Sequence, residues 1–286
     1  MPREFRRVGV VGLGTMGAGI AQVCVQAGLE TVGREVSAEL GEQARSQIEH
    51  YLSRGVEKGR LTAAERDAAL DRLQITTELS DLAGCDVVVE AIVEELEAKK
   101  ALFRELEGVV APEAILATNT SALPVTEIAR ATESPERVVG LHFFNPAPVL
   151  PLVEVVRTEL TADEPYEDAY AFAERIGKEP VRCADTPGFI VNRILIPLLN
   201  DCVRVLDEAG VAPEDMDKAM TAGVNWPIGP CALIDLIGID IHVHASEALH
   251  AALGEPRMAA PERLVRMRDE GLLGRKSGRG FFTYEE

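Results

Sequence analysis

The chain has 286 residues, of which 47% are hydrophobic and 5% aromatic, so it can bury one large core or two smaller ones. Its formal net charge of −18 argues against nucleic acid and membrane surfaces as partners, and an anionic substrate would need a local basic patch. Five scattered cysteines without a CxxC pair, and no signal-peptide pattern, predict a cytoplasmic protein with free thiols.

Short apolar strands alternate with helical patterns through the first 184 residues. The strands are predicted at 8–11, 31–32, 87–89, 115–117, 138–141, 152–156 and 180–183. A long polar stretch over 37–72, broken near Gly55 and Gly59, predicts an inserted helical hairpin. Such alternation favours a mainly parallel sheet with helices on both faces. We therefore predict an α/β, Rossmann-like doubly wound domain over residues 1–184.

Strand patterns vanish after the segment Asp185-Thr186-Pro187-Gly188. Helices are predicted at 189–209, 213–222, 231–253 and 261–270. We therefore predict a second, all-α domain over residues 185–286.

The segment Gly12-Leu13-Gly14-Thr15-Met16-Gly17 lies between the first strand and a helical run. Gly12 permits a tight turn, Gly14 lets the backbone approach a pyrophosphate, and Gly17 lets the helix pack close to the strand. The helix N-terminus offers N–H donors to phosphates. In this strand–turn–helix context the motif predicts a dinucleotide site that includes Thr15 and Met16, with a ligand-free glycine turn as the alternative.

Glu35 ends the second predicted strand, 23 residues after Gly12. An acid there accepts hydrogen bonds from the adenosine ribose 2′-OH and repels a 2′-phosphate, which favours NAD as the cofactor. The adjacent Arg34 could pair with that phosphate, so NADP is the alternative. Glu35 could also be a solvated cap before Ser37.

Polar clusters follow three later strands, where ligands of open α/β sheets bind. The first runs from Glu90 to Glu95, with Lys99 close behind; the second is 117–121 and contains Asn119; the third is 142–146 and contains Asn145. We expect all three clusters to face the cofactor and substrate.

His142 ends one apolar strand, and Glu154 lies inside the next apolar strand, twelve positions later. An acid buried in a strand is costly unless it is paired. Histidine titrates near neutrality and can both accept and return a proton. The pair therefore predicts a general base held by a carboxylate, with a core histidine that has no catalytic duty as the alternative.

Six motifs, in this order, resemble the L-3-hydroxyacyl-CoA dehydrogenase family, including the short-chain 3-hydroxybutyryl-CoA dehydrogenases: GLGTMGAGIA, ATNTSAL, GLHFFNPAPVLPLVEVV, DTPGFIVNRILIPLLN, WPIGP and GRKSGRGFF. The resemblance covers essentially the whole chain. It implies an NAD-dependent oxidoreductase of fatty acid metabolism that interconverts (S)-3-hydroxyacyl-CoA and 3-ketoacyl-CoA, with short acyl chains.

The resemblance also implies roles for single residues. His142 takes the proton of the substrate 3-hydroxyl, and Glu154 orients its imidazole. Ser121 and Asn192 position the substrate oxygens. The neighbours of the nicotinamide are Glu94, Lys99, Ser121 and Asn145, and Lys276 in the tail also faces the cofactor. Family members often carry a second serine where this chain has Ala122. Ser121 could instead be a helix cap, and Asn192 a contact between helices.

CoA is a large anion, and the best basic spot lies around Gly55 and Gly59, where Arg54, Lys58 and Arg60 cluster. In the family this insert helps to hold CoA, which makes Lys58 the candidate contact. A solvated charged face is the alternative, because Glu57 and Glu65 interleave.

The resemblance identifies the helical domain with the family's dimerisation domain, and its apolar runs at 189–199 and 233–241 support a homodimer. Two rival functions remain. One is a same-scaffold dehydrogenase of an acyl-carrier-protein thioester or L-gulonate; the other is a non-catalytic, crystallin-like cofactor-binding protein. His242, His244 and His250 lack zinc-like spacing, so we predict no metal site and place them on a helix surface or interface.

Overall fold

Eight strands form one sheet in the first of two units, Met1–Thr186 and Pro187–Glu286, of the computed structural model, which describes residues 3–284. The strands are β1 (Arg7–Val11), β2 (Glu30–Arg34), β3 (Leu73–Thr76), β4 (Val87–Glu90), β5 (Ile115–Thr118), β6 (Val138–Phe143), β7 (Leu152–Arg157) and β8 (Glu179–Ala184). Their spatial order is β3-β2-β1-β4-β5-β6-β7-β8. Every neighbouring pair is parallel except β6 and β7.

The helices of this unit connect the strands. They are α1 (Thr15–Gln26), α2 (Ala38–Glu57), α3 (Ala63–Asp71), α4 (Leu96–Glu107), α5 (Val125–Ala129) and α6 (Asp163–Arg175). Strands β4 and β5 are buried along their whole length, as expected for parallel strands covered on both faces. The predicted α/β, Rossmann-like fold is confirmed.

The predicted helical hairpin is also confirmed, as α2 and α3. The Ser37 hydroxyl accepts a hydrogen bond from the Leu40 N–H at the start of α2. Thr62 and Glu65 form a capping box at the start of α3, so that two N–H groups at its end are satisfied by side chains. The sequence prediction missed β3, which directly follows this hairpin and pairs with β2 at the edge of the sheet.

The second unit is helical. Its helices are α7 (Val191–Ala209), α8 (Pro213–Val224), α9 (Pro230–Ile237), α10 (Ile239–Leu253) and α11 (Glu262–Asp269). The prediction of one helix over 231–253 is wrong, because Gly238 (φ +101°) separates α9 from α10. That φ lies where only glycine is readily accommodated.

Two buried polar groups shape the second unit. The Asp235 carboxylate accepts hydrogen bonds from the Phe281 and Phe282 N–H groups, at 2.9 and 3.0 Å, which fastens the C-terminal tail to α9. His242 is fully buried, and its Nε2 lies 2.8 Å from Asn200 Oδ1 on α7. The prediction that His242 is a surface or interface residue is therefore wrong, whereas His244 and His250 are exposed.

Within residues 3–284, no helix combines the length and apolar character needed to cross a membrane. The same part of the chain contains no cluster of three or more histidine, cysteine or acidic side chains that could hold a metal ion. All five cysteines are buried free thiols.

Candidate active site

The glycine loop between β1 and α1 has no room for side chains at two of its three glycines. Gly12 has φ +86°, and a Cβ there would lie 2.7 Å from the Ala91 carbonyl oxygen. A Cβ on Gly17 would lie 1.7 Å from the Gly12 carbonyl oxygen. Around Gly14, by contrast, the described residues leave a Cβ position open to 4 Å. The loop therefore packs tightly at Gly12 and Gly17 and leaves its backbone accessible at Gly14, as the close approach of a pyrophosphate requires.

Helix α1 begins directly at this loop, with Thr15 and Met16 as its first residues. Gly14 is its N-cap, and within the described chain neither a capping side chain nor an acidic residue occupies its first turn. Its first N–H groups and the positive end of the helix dipole are therefore available to an anion. A pocket of about 560 Å³ opens beside the loop, lined by Gly12 and Gly14, by Glu35, and by Ile92 and Val93. These residues fit a dinucleotide.

Glu35 lies at the end of β2 and closes the loop from one side. Its Oε1 accepts a hydrogen bond from the Leu13 N–H at 2.6 Å, and its Oε2 accepts one from the Val36 N–H at 2.9 Å. Arg34 turns its Nε to the Thr77 carbonyl oxygen, at 3.1 Å. The carboxylate is thus fixed at the pocket wall, and a contact with the cofactor ribose stays a prediction.

Ser121, His142 and Glu154 form a continuous line of hydrogen bonds. His142 Nδ1 lies 2.6 Å from Glu154 Oε2, and His142 Nε2 lies 3.0 Å from Ser121 Oγ. Glu154 is fully buried and His142 is 4% exposed. A proton on Nδ1, donated to the carboxylate, leaves the Nε2 lone pair facing the Ser121 hydroxyl. The geometry suits transfer of a proton at Nε2.

The sheet creates this pair directly. Strands β6 and β7 run antiparallel, and His142 and Glu154 are register partners, so both side chains leave the same face.

The Glu154 charge also acts on a nearby thiol. Burial first, and then the charges of Glu154 and Asp185, raise the pKa of Cys183 to about 11. That thiol therefore stays neutral beside the pair at physiological pH.

Lys99 is the least exposed of the predicted cofactor neighbours, with 1% of its side chain accessible. Its Nζ lies 2.5 Å from Glu90 Oε1 and 3.1 Å from Glu94 Oε2. Glu90, Thr118 and Thr120 complete this cluster; the sequence analysis placed them in ligand-facing segments but gave none of them an individual role. An acid placed directly after the valines of β4 was the available signal, because an acid at the end of a buried strand needs partners.

Glu94 joins this cluster to the loop after β5. Burial works against its charged form, but the Lys99 ammonium and the donors from Thr120 and Ser121 outweigh it and lower the pKa of Glu94. Asn119, in the same loop, has its Oδ1 2.9 Å from the Phe143 backbone N–H, and so supports the end of β6. Asn145 is exposed just beyond that strand and precedes a cis peptide bond to Pro146.

Three further predicted residues belong to other segments of the chain. Lys58 is exposed at the C-cap of α2. Asn192 is half-buried near the start of α7, in the second unit. Lys276, also in the second unit, pairs its Nζ with Asp240 Oδ2 at 2.6 Å. The cofactor and substrate contacts of all three stay predictions.

Two family models match nearly the whole chain. The NAD-binding domain of 3-hydroxyacyl-CoA dehydrogenases matches residues 7–186, and the C-terminal domain of the same family matches residues 188–284. The chain belongs to the 3-hydroxyacyl-CoA dehydrogenase family. It is therefore an oxidoreductase, and NAD is the cofactor for which its first unit is built.

Members of this family are similar to the chain along its full length. A 3-hydroxybutyryl-CoA dehydrogenase of Mycobacterium tuberculosis is 45% identical over 286 residues, covering 99% of this chain and 100% of the relative. The crystal structure of M. tuberculosis FadB2 superposes with a TM-score of 0.96 at 44% identity, covering 99% and 100% of the two chains. The (S)-3-hydroxybutyryl-CoA dehydrogenase of Ralstonia eutropha gives a TM-score of 0.94 at 38% identity, with the same coverages.

Proposed function

We propose that the protein interconverts (S)-3-hydroxyacyl-CoA and 3-ketoacyl-CoA, with short acyl chains such as 3-hydroxybutyryl-CoA and acetoacetyl-CoA as its substrates. The observation that carries the proposal is the line of hydrogen bonds from the exposed Ser121, through its Oγ and the His142 ring, to the buried Glu154, at 3.0 and 2.6 Å. The short chain length comes from the relatives, which are named for 3-hydroxybutyryl-CoA.

His142 is the general acid and base of the proposed reaction. In the oxidative direction its Nε2 takes the proton of the 3-hydroxyl, and in the reductive direction it returns that proton to the 3-keto oxygen. NAD, held by the loop from Gly12 to Gly17 and by Glu35, would supply the hydride acceptor at the carbon that bears this oxygen, and NADH would supply the hydride in the reverse direction. Glu154 keeps the second proton on Nδ1 and stabilises the imidazolium that forms. A base of this kind contributes about 10²- to 10⁴-fold in rate.

Ser121 and Asn192 are the proposed anchors of the substrate. The Ser121 hydroxyl, 3.0 Å from His142 Nε2, can hydrogen-bond the same oxygen that exchanges the proton. The role of Asn192 rests on the resemblance alone. Around the cofactor we assign Gly12, Gly14, Gly17 and Glu35 to the pyrophosphate and ribose, and Glu94 and Asn145 to the nicotinamide end.

The remaining assignments concern the assembly. We propose that residues 1–184 bind NAD and residues 185–286 bind substrate and form a homodimer. Ile194, Val205, Leu236 and Ile241 support the homodimer, because each of these large apolar side chains of the second unit is at least 50% exposed. Sedimentation giving a monomer at micromolar concentration would contradict the homodimer.

We also propose a cytoplasmic location, which the five free thiols support.

NADH oxidation tests the proposal. We expect rapid consumption of NADH with acetoacetyl-CoA, slower consumption with longer 3-ketoacyl-CoAs, and little with an acetoacetyl-carrier protein. L-Gulonate is assayed in the oxidative direction, with NAD. Turnover confined to L-gulonate or to the carrier-protein thioester would favour the same-scaffold alternatives. A protein that binds NADH but turns over none of these substrates would fit the non-catalytic alternative.

A further inference from the structure

Lys99 lies in a closed environment made by two carboxylates. Its ammonium contacts Glu90 and Glu94, and the side chains of Lys99 and Glu90 are 1% and 0% exposed. A buried ammonium needs such partners, and removal of one member of a buried ion pair leaves an uncompensated charge. This position therefore fixes the two glutamates relative to each other.

Glu90 connects the ends of two neighbouring strands. Besides Lys99, its Oε1 accepts a hydrogen bond from the Ile92 N–H at 2.7 Å. Its Oε2 accepts one from the Thr118 hydroxyl, also at 2.7 Å. The Thr118 hydroxyl oxygen in turn accepts the Thr120 N–H at 3.2 Å. The start of the loop after β5 is thereby tied to the end of β4.

Glu94 holds the next residues of the same loop. One oxygen, Oε2, is occupied by Lys99, and the other, Oε1, receives three donors. These are the Thr120 hydroxyl at 2.5 Å, the Ser121 N–H at 2.8 Å and the Ala122 N–H at 3.2 Å. The orientation of one carboxylate therefore sets the backbone of Ser121, whose hydroxyl lies beside His142.

We propose that Lys99 is a positioning residue, which orients Glu94 so that the loop 120–122 holds Ser121 Oγ at hydrogen-bonding distance from His142. The inference rests on the proposed function, because it concerns the alignment of the proposed acid–base group. It differs from a role in which Lys99 binds the cofactor directly. A direct contact would act on NADH affinity, whereas positioning acts through Ser121.

A double-mutant cycle separates the two roles. The variants are K99M, S121A and K99M/S121A, with K100M as the matched control, because Lys100 pairs with Glu97 and Glu127 outside the cluster. We expect K99M to lower kcat about 10- to 100-fold, with the Kd for NADH within about threefold of wild type. The double variant should be about as active as S121A alone, since both changes disrupt the same hydrogen bond between Ser121 and His142. K100M should behave as wild type.

Two results would overturn the inference. One is a double variant whose loss is the product of the two single losses. The other is a K99M protein with an unchanged kcat and a Kd for NADH raised tenfold or more. Should K99M fail to fold, T120V and T120S replace it, because only the serine keeps the hydroxyl that reaches Glu94. We expect T120V to lose kcat and T120S to retain it; a fully active T120V would contradict the inference.

Histidine NMR supplies a readout that needs no turnover. The protein has five histidines, so the His142 ring nitrogens can be assigned in a ¹⁵N-histidine spectrum. We expect the Nε2 resonance to move in K99M as it moves in S121A, and to stay in place in K100M. A resonance that moves only in S121A would refute the positioning role. Because this result is independent of activity, it stands even if the wild-type protein does not reduce acetoacetyl-CoA.

Discussion

His142 and Glu154 are directly opposed residues of β6 and β7, the one antiparallel ladder of the sheet within residues 3–284, and their side chains meet at 2.6 Å. Two residues twelve positions apart in sequence thus lie opposite each other on neighbouring strands. The pair lies on regular structure, so its geometry depends on strand register and not on a loop conformation.

The variant H142Q should retain NADH binding and lose about 10²- to 10⁴-fold in kcat, because glutamine keeps a polar side chain but cannot exchange a proton. Steady-state rates with acetoacetyl-CoA give kcat, and quenching of NADH fluorescence gives the Kd. Near-normal turnover would refute His142 as the acid–base group.

The variant E154Q should lower kcat by about 10- to 100-fold, because it preserves the shape of the side chain and removes the charge that stabilises the imidazolium. Its effect should vanish in an H142Q background, since the carboxylate acts only through the ring. Independent losses in the double variant would show a separate role for Glu154.

The variant E35Q should raise kcat/KM for NADPH relative to NADH by about tenfold, because a neutral side chain no longer repels a 2′-phosphate. Glu39, an exposed acid in the first turn of α2, provides the control variant E39Q. An unchanged cofactor ratio in E35Q would place the discrimination elsewhere in the pocket.

The variant K58A should raise the KM for acetoacetyl-CoA about twofold to fivefold, the effect expected of one exposed charge. The KM for acetoacetyl-pantetheine, which lacks the phosphorylated ADP, should not change. The control is K218A on α8, which removes an equal charge elsewhere on the surface. Equal effects on both substrates would argue against a contact with the nucleotide part of CoA.

The buried His242 should make stability depend on pH. Burial lowers the pKa of His242 to about 4, below the value near 6.5 of an exposed histidine. Between these two pH values the histidine binds a proton in the unfolded chain but not in the folded chain. Its neutral form is fully stabilising above pH 6.5, and stability falls between pH 6.5 and 4, by at most about 1.4 kcal/mol per pH unit.

Urea denaturation at pH 7.5, 6 and 5 checks this prediction with H242N and with H244N, whose histidine is exposed. As the pH is lowered, the free energy of unfolding of H242N should decrease less steeply than that of wild type or H244N. Parallel pH profiles for all three proteins would show that His242 makes no such contribution.

The sequence predicted the parallel core because its strands are continuous apolar runs, such as Val87–Val89. It did not predict β3, whose Gln74 is exposed and whose Ile75 is only half-buried. Such a short strand at the sheet edge has no clear apolar pattern, and only its pairing with β2 defines it. Gly238 was missed for a similar reason, since glycine inside an apolar run does not reveal its φ.

Long-range contacts explain the rest of the differences. His242 looked like a surface residue because its partner, Asn200, is 42 positions away. The acid at the end of β4 indicated that Glu90 needs partners, but its bond to Thr118 was not predictable, because the two residues meet only when β4 and β5 lie side by side. The sequence named most groups of the candidate site, whereas the hydrogen bonds that hold them were not predictable from spacing.

The antiparallel ladder makes the acid–base pair tolerant of some changes in chain length and intolerant of others. An insertion after Pro148, in the exposed part of the turn between β6 and β7, leaves His142 opposite Glu154. A single residue added inside β7 before Glu154 turns the carboxylate to the opposite face of the sheet. A change in length at the turn can therefore leave the pair in register, whereas β7 accepts no change in length before Glu154.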